Sequence, residues 1–505
     1  LLIVSSRLTA QPPGDKNKEK EVPAEVSYYR DVRPIFQQHC QGCHQPAKPQ
    51  GGYVMTGHAD LFKKSEKDKP GVVPGKPEQS SVVEQIVAKP GKKPAMPRGQ
   101  APLGNRDVEV IRKWIAQGAR DDTPTNAREV VDAEHPPLYA LPPVITAVAY
   151  SPDGQLLAVS GHHEILLHKA EGGLVARLVG LSERVQSLAF SPDGQSLAMA
   201  GGSPGRFGEV QVWDVERKKL KLSVPVTYDT LYGVSWSYNG SKIAFGCADN
   251  TLRAIDAKTG QQVLFQGAHN DWVLGTVFSL PRPAGVELAA MGIGAEYGVR
   301  QALERDSRYL VSISRDMSVK LTEVRTQRFI DNVTSITPGA LKGGLMALAR
   351  RPQPIEKRFR STAVGTDQSE KFYDEILVAG SDGTPRLYQM HRTKKRVIGD
   401  DFNKIREYEP MLGRTHSLAF NHDGTLFAAG SSLDGKGEVR VYQADTGKLI
   451  SKLETGPVFT VAFRPDGKEV ASAGFDGVVR LSDPQTGKVI KEFTPVPLTA
   501  AVKAP

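Results

Sequence analysis

The chain has 505 residues, 39% of them hydrophobic and 24% charged, and 65 Lys or Arg against 56 Asp or Glu give a net charge of +9. That length calls for two or more domains, and the apolar content is enough to bury cores, which excludes wholesale disorder. No apolar run approaches the ~18 residues of a membrane helix, no basic stripe accompanies a nucleic-acid reading motif, and three cysteines are too few for a disulfide framework.

In chain order, Leu1-Leu2-Ile3-Val4 followed by Ser5, Ser6, Thr9 and Ala10 reads as the tail of a secretory signal. The Lys-, Glu- and Pro-rich residues up to 25 read as a flexible linker. Residues 26–122 form a small, mostly helical domain. Ser27 is positioned to cap a short helix with Val32, Ile35 and Phe36 on its apolar side, and Pro34 is tolerable in the first turns. At the far end Asn105 is the expected N-cap and Asp107 suits the first turn. Val108, Ile111, Trp114 and Ile115 then recur at helical spacing until Gly118 ends the run. A Pro-rich polar stretch, 123–139, marks the domain boundary. Residues 140–495 form a second domain, and 496–505 are expected to be a disordered tail.

The second domain is repetitive. Ser151-Pro152-Asp153-Gly154 recurs as Ser191-Pro192-Asp193-Gly194, 40 residues later. Variants follow at Ser237-Tyr238-Asn239-Gly240, Asn421-His422-Asp423-Gly424 and Arg464-Pro465-Asp466-Gly467. Each turn follows a short alternating strand, and Asp-Gly or Asn-Gly supplies the positive φ that a tight hairpin needs. A second strand, a third such as Val210-Gln211-Val212-Trp213-Asp214, and a turn such as Lys258-Thr259-Gly260 complete each unit. This pattern resembles the WD-repeat β-propeller family over roughly 140–495. Seven repeats are expected, starting near Val144, Arg184, Asp229, Trp272, Ala340, Arg414 and Gly456. The fourth and fifth are degenerate, with insertions near 281–305 and 352–373. The fold class is therefore a small all-α domain followed by an all-β propeller.

The chemistry is concentrated in Cys40-Gln41-Gly42-Cys43-His44, the attachment signature of c-type haem. Two thiols at this spacing on a turn can each form a thioether to a haem vinyl group, and the adjoining imidazole lies under the iron. A dithiol redox motif needs no following His, and a zinc site needs four ligands where there is no second Cys pair. The residues alone leave Met55, His58 and Met96 as candidates for the sixth iron position.

The first domain resembles the planctomycete-type cytochrome c family. The resemblance rests on Tyr29-Arg30-Asp31-Val32-Arg33-Pro34-Ile35-Phe36, Val73-Pro74-Gly75-Lys76-Pro77-Glu78-Gln79-Ser80, Met96-Pro97 and Ile111-Arg112-Lys113-Trp114-Ile115-Ala116-Gln117-Gly118-Ala119. It implies that the Met of the Met-Pro pair, Met96 here, is the distal ligand. Arg98 departs from the family pattern, where a second Pro or a small residue is common. Met55 is then a core filler, and His58, in a Gly-His-Ala loop, a surface residue. The expected cofactor is one covalent haem c held by Cys40, Cys43, His44 and Met96, with His44 and Met96 on the iron.

Other features read plainly. Residues 28–122 hold 16 Lys or Arg and 10 Asp or Glu, a net of +6, clustered at Lys63, Lys64, Lys67 and Lys69 and at Lys89, Lys92, Lys93 and Arg98. Solvated loop lysines explain them, and a basic rim facing an acidic redox partner is the alternative. Arg350, Arg351, Lys357, Arg358 and Arg360 read as a solvated loop, and His162, His163 and His168 as ordinary strand residues. His269 fits the structural Gly-His position of the repeats, and Asp249, Asp382 and Asp476 are turn residues.

The expected function is an exported c-type cytochrome, on the periplasmic or cell-surface side. It carries single electrons to a redox partner protein and uses the propeller as a protein-docking platform. No nucleic acid and no membrane span in this chain are expected. One alternative is an oxidoreductase with a substrate or second cofactor in the propeller channel. Another is a haem-containing interaction scaffold.

Overall fold

The computed structural model describes residues 22–45, 48–66, 69–98, 101–124, 131–267, 269–281, 306–335, 341–352, 374–392, 397 and 399–499. Residues 1–21, which include the stretch read as a signal tail, nearly all of both insertions, residues 500–505, and Lys67, Lys357, Arg358 and Arg360 lie outside the described residues. The chain divides into two compact units, Leu1–Cys40 with Gly51–Arg128, and Gln41–Gln50 with Glu129–Pro505.

The first unit is helical. Ser27 caps a helical turn over Tyr28–Val32, where its Oγ accepts from the Arg30 N–H (2.9 Å) while Asp31 accepts from the Ser27 N–H (2.9 Å). This reciprocal arrangement satisfies donors that a helix start leaves open. The chain runs straight into α1, Arg33–His39, with Pro34 in the first turn, where a missing N–H costs nothing. Two further helices follow, α2 (Ser81–Ile86) and α3 (Asn105–Ala116). The α3 cap is Gly104 rather than Asn105, a one-residue shift within normal fraying. Gly118 takes φ +97° and lets the Ala119 N–H reach back to the Trp114 carbonyl (2.9 Å), which closes the helix. One apolar cluster joins these pieces: Val32, Phe36, Leu61, Val110, Ile111 and Ile115 are all fully buried in it.

The second unit is almost entirely β. Its described strands form five four-stranded antiparallel sheets and one of seven strands, and His44–Gln45 pairs with Lys48–Pro49 in a separate two-stranded sheet. The seven-stranded sheet arises because Leu174–Phe190 is continuous. Its first half pairs with His162–Lys169 and its second half with Ser196–Ser203, so it serves two neighbouring groups. The other sheets begin at Leu231–Trp236, Val273–Phe278, Leu345–Arg350, Arg414–Phe420 and Val458–Phe463. The Asp-Gly turns behave as their chemistry requires. Asp153 and Asp193 each accept from the N–H two residues on (3.0 Å), with Gly154 and Gly194 at φ +69° and +72°.

These starting strands, with Val148–Tyr150 and the end of Leu174–Phe190, line one cavity of about 260 Å³. Each neighbours the next, and Val458–Phe463 returns to Val148–Tyr150. Hydroxyls stitch neighbours together: Ser187 accepts from Val234 N–H (2.9 Å), Ser417 from Val461 N–H (3.0 Å) and Thr460 from Val148 N–H (3.0 Å). The first and last sheets share a core of Val148, Leu157, Leu166, Ala471, Val479 and Leu481. Residues past 495 do not simply fray. Val496 is buried in that core, Leu498 pairs with Tyr139, and the Thr499 N–H donates to the Tyr139 carbonyl (2.9 Å). Tyr139, expected in the linker, is itself buried there. An apolar side chain and an open backbone acceptor hold the two flanks of the repeat region, Tyr139 and Val496 to Thr499, together.

Candidate haem-binding site

Helix α1 aims the first thiol. Ile35 and Phe36 are buried, and Cys40, four residues beyond Phe36, returns to the same helix face. The Cys40 N–H donates to the Phe36 carbonyl (2.9 Å), and the residue packs, half-buried, against the apolar cluster. Cys43 is also half-buried, and neither cysteine is in a disulfide. The Cys43 carbonyl accepts from the Gln50 N–H (3.0 Å), and His44 opens the short pairing with Pro49. Cys43 and His44 therefore belong to Gln41–Gln50 of the second unit, and Cys40 to the first.

Met96 sits between α2 and α3, tied to α2 by its N–H to the Gln85 carbonyl (3.0 Å). It is partly buried against the same cluster as Cys40. Met55 is 2% exposed inside that cluster, as a core filler should be. His58 is not a surface residue. It is half-buried among Tyr28, Phe62 and Trp114, with ring centroids 4.8, 4.9 and 5.9 Å away. Its Nε2 lies 2.8 Å from the Ala119 carbonyl at the end of α3. Local composition around His58 suggests a loop, but two of the three aromatic residues that enclose it, Tyr28 and Trp114, come from distant parts of the chain.

The donor set fits haem c: two cysteines outside any disulfide at the required spacing, an adjoining imidazole, and the Met96 sulfur on the apolar cluster that carries Cys40. Among the described residues, no group of three or more His, Cys, Asp or Glu comes together elsewhere to hold a metal ion. His162 and His163 meet edge-on at 4.6 Å, and His168 is buried against Phe493, where burial pushes its pKa down to about 4.

The stretch 40–98 matches the family model of Planctomycete cytochrome C, and it contains Cys40, Cys43, His44 and Met96. Residues 148–238 match the Anaphase-promoting complex subunit 4 WD40 domain, and 447–483 match the WD domain, G-beta repeat. The chain joins a planctomycete-type cytochrome c domain to a WD-repeat region. The comparison with curated proteins gives no match. No helix among the described residues is long and apolar enough to cross a membrane.

The WD-repeat region contains networks that motif reading missed. In the fourth repeat, buried His269 faces Asp316 (3.2 Å) and Ser318 (3.0 Å) through Nδ1 and Ser312 (2.8 Å) through Nε2. Burial opposes ionisation of Asp316, but His269, Ser318 and the Asn270 N–H outweigh it and hold the carboxyl well below the usual range. Asp316 occupies the turn position held by Asp249, Asp382 and Asp476 in other repeats, and that was the available signal. Those three pair with Arg253, Arg386 and Arg480 four residues on, at 2.6, 2.8 and 2.7 Å.

The first, second and sixth repeats instead bury Glu164, Glu209 and Glu438 in the third strand. Glu164 pairs with Arg177 (2.6 Å), and Glu438 with Arg440 (3.0 Å) and Lys452 (3.3 Å). Glu209 meets only Ser182, Ser223 and Gln211, each at 2.6 Å, and desolvation raises its pKa. The shared Gly-Glu-Val of 208–210 and 437–439 was the clue. Arg351, just past the strand Leu345–Arg350, is likewise not solvated. It is buried and binds Glu375 (2.8 Å), Asp445 (2.7 Å) and the Gly424 carbonyl (2.7 Å).

Proposed function

We propose that the protein is an exported c-type cytochrome that carries single electrons through one covalent haem. The WD-repeat region, read as a seven-bladed propeller, serves as its docking platform. The observation that carries this reading is the Cys40-x-x-Cys43-His44 motif at the end of α1, with Met96 on the same apolar cluster as Cys40. Cys40 and Cys43 would hold the haem through two thioethers, and His44 and Met96 would be the residues that ligate its iron. When bound, haem supplies reversible one-electron chemistry, and a thioether ligand raises its potential. The cluster around Phe36 and Met55 excludes water from one side of the site, and the N–H bond from Met96 to Gln85 steadies the ligand loop. Thioether formation takes place on the exported side of the membrane, which supports an extracytoplasmic location.

Seven strands around one cavity, each with a hairpin behind it, support the seven-blade reading. The cavity speaks against a substrate site in the channel. Among the residues lining it, His416 is the one titratable side chain. Its Nε2 is engaged by Ser432 (2.8 Å), and burial, aided by Arg414, pushes its pKa down to about 4. Gln186, Thr146, Ser187, Thr276, Ser417 and Thr460 supply the remaining polar groups, without a carboxylate.

A potentiometric titration of the full chain, matured in a host that attaches haem c and followed by visible absorbance, tests the reading. A single reversible one-electron wave is expected. An irreversible change, or two waves, would contradict a single-haem carrier. A haem that cannot be reduced by any small mediator would point to the scaffold alternative.

A further inference from the structure

The second unit holds the segment Gln41–Gln50 together with the WD repeats, so Cys43 and His44 share one compact body with them. The segment is tied to itself. Gln45 is buried and its Nε2 donates to the Gln41 carbonyl (3.0 Å), the Gln50 N–H donates to the Cys43 carbonyl (3.0 Å), and His44 pairs with Pro49. Gly42, in the middle of the haem motif, is buried against Lys219–Thr227, the edge strand of the second repeat. A Cβ added to Gly42 would lie 2.7 Å from the Ser223 carbonyl oxygen and 3.0 Å from Pro225 Cδ. Gly42 is not among the glycines at positive φ, so its backbone suits any residue, and close approach is what the missing side chain permits. The strand behind it is firmly held. Ser223 Oγ donates to buried Glu209 (2.6 Å), which also accepts from Ser182 and Gln211 (2.6 Å each).

We propose that the strand Lys219–Thr227 is a seat for the haem-attachment turn, with Ser223 and Pro225 as positioning residues that fix the orientation of Cys43 and His44. The proposal rests on the haem-carrier reading and deepens it: a WD repeat supports the haem ligands as well as serving as a docking platform. Because the segment is tied by its own hydrogen bonds, a shift at Gly42 is carried to Cys43 and His44, one and two residues on and at most about 4 and 7 Å of chain away. Groups that hold a metal ligand in place tune the metal through it. A charge placed at position 225 is separated from these two residues by a distance comparable to the ~8 Å screening length at physiological salt, so it is felt there.

Potentiometric titration of the full-length holoprotein tests the seat. Pro225→Lys should raise the reduction potential and Pro225→Glu should lower it, since a nearby positive charge favours the reduced iron and a negative one the oxidised. Both variants lose the same ring and gain the same backbone N–H, so a merely structural change would move both potentials in one direction. Glu454 sits opposite Glu438 in the sixth repeat as Pro225 sits opposite Glu209 in the second. Glu454→Lys, a larger change in charge, should leave the potential where it is. Shifts of the same sign in the two Pro225 variants, no shift in either, or an equal shift in Glu454→Lys would overturn the proposal. Hydrogen exchange of the same holoprotein gives a readout that needs no redox cycle. Gly42→Ala should speed exchange in Lys219–Thr227 about tenfold and leave Leu449–Thr455, its counterpart in the sixth repeat, unchanged. Unchanged exchange in Lys219–Thr227 would also overturn the seat. A haem that does not cycle would defeat the carrier reading, and the exchange result would then decide the seat by itself.

Discussion

The cytochrome domain gathers three short helices and glycine- and proline-rich loops around one apolar cluster. The WD-repeat region instead repeats one sheet plan and buries a separate cluster between neighbouring sheets. The first carries its chemistry in a handful of residues and has little redundant structure. The second spreads stability over many similar contacts, and among the described residues lining its cavity His416 is the one titratable side chain. On the proposed reading the chemistry is concentrated around the Cys40-to-His44 motif and Met96, the bulk of the buried core lies in the repeats, and substitutions should separate the two.

The sharpest separation is expected from Cys40→Ser/Cys43→Ser. Covalent haem should be lost completely, read as absent haem staining after denaturing electrophoresis. The thermal unfolding of the WD-repeat region should not move. A shared loss would break the comparison.

Within the cytochrome domain, Met96→Ala should abolish the weak far-red band of sulfur-ligated iron and lower the reduction potential. Met55→Leu, a near volume-conserving change in the core, should cost under about 1.5 kcal/mol and keep the band. If Met55→Leu abolished it and Met96→Ala did not, the two methionines would exchange roles.

In the WD-repeat region, His269→Ala leaves Asp316, Ser312 and Ser318 without their shared partner. The expected loss is about 3 kcal/mol in denaturant unfolding, with the haem spectrum unchanged. The pH dependence follows from Asp316. Its carboxyl is held low in the fold, so this stabilisation is present above the unfolded Asp value and is lost as pH falls through the folded one. The penalty of the variant should therefore shrink in acid. A penalty that stays constant into strong acid would remove Asp316 from the network.

Glu209→Gln is the mildest test. Burial raises the pKa of Glu209, so its contribution to stability is complete below the unfolded Glu value and is lost as pH rises through the folded one. The variant should gain on wild type between mildly acidic and neutral pH in urea midpoints. A gap that is flat with pH would contradict an uncompensated carboxylate.

What could be read in advance followed how local the physics is. Asp153-Gly154 and Asp193-Gly194 announce their turns because the Asp side chain and the Gly φ act within four residues. Ser27, Pro34 and Gly118 mark helix ends for the same reason. The haem motif is local too, since its spacing is the chemistry. His58 was misread because Tyr28 and Trp114 enclose it from distant positions. Arg351 and Glu209 were missed because burial of a charged group is decided by partners such as Asp445 or Ser182, which no short pattern reveals. The end of the chain was misjudged for a similar reason: Leu498 finds its partner at Tyr139, far away in sequence.

The central claim, one covalent haem with Met96 as its distal sulfur ligand in an electron carrier, is tested most directly by visible spectra. Oxidised and reduced spectra of the full chain should be recorded after maturation in a host that attaches haem c. The account predicts a low-spin haem c spectrum with the far-red sulfur band in the oxidised form and full reversibility on reduction. A bis-imidazole spectrum without that band, or a high-spin spectrum with an open iron position, would contradict it.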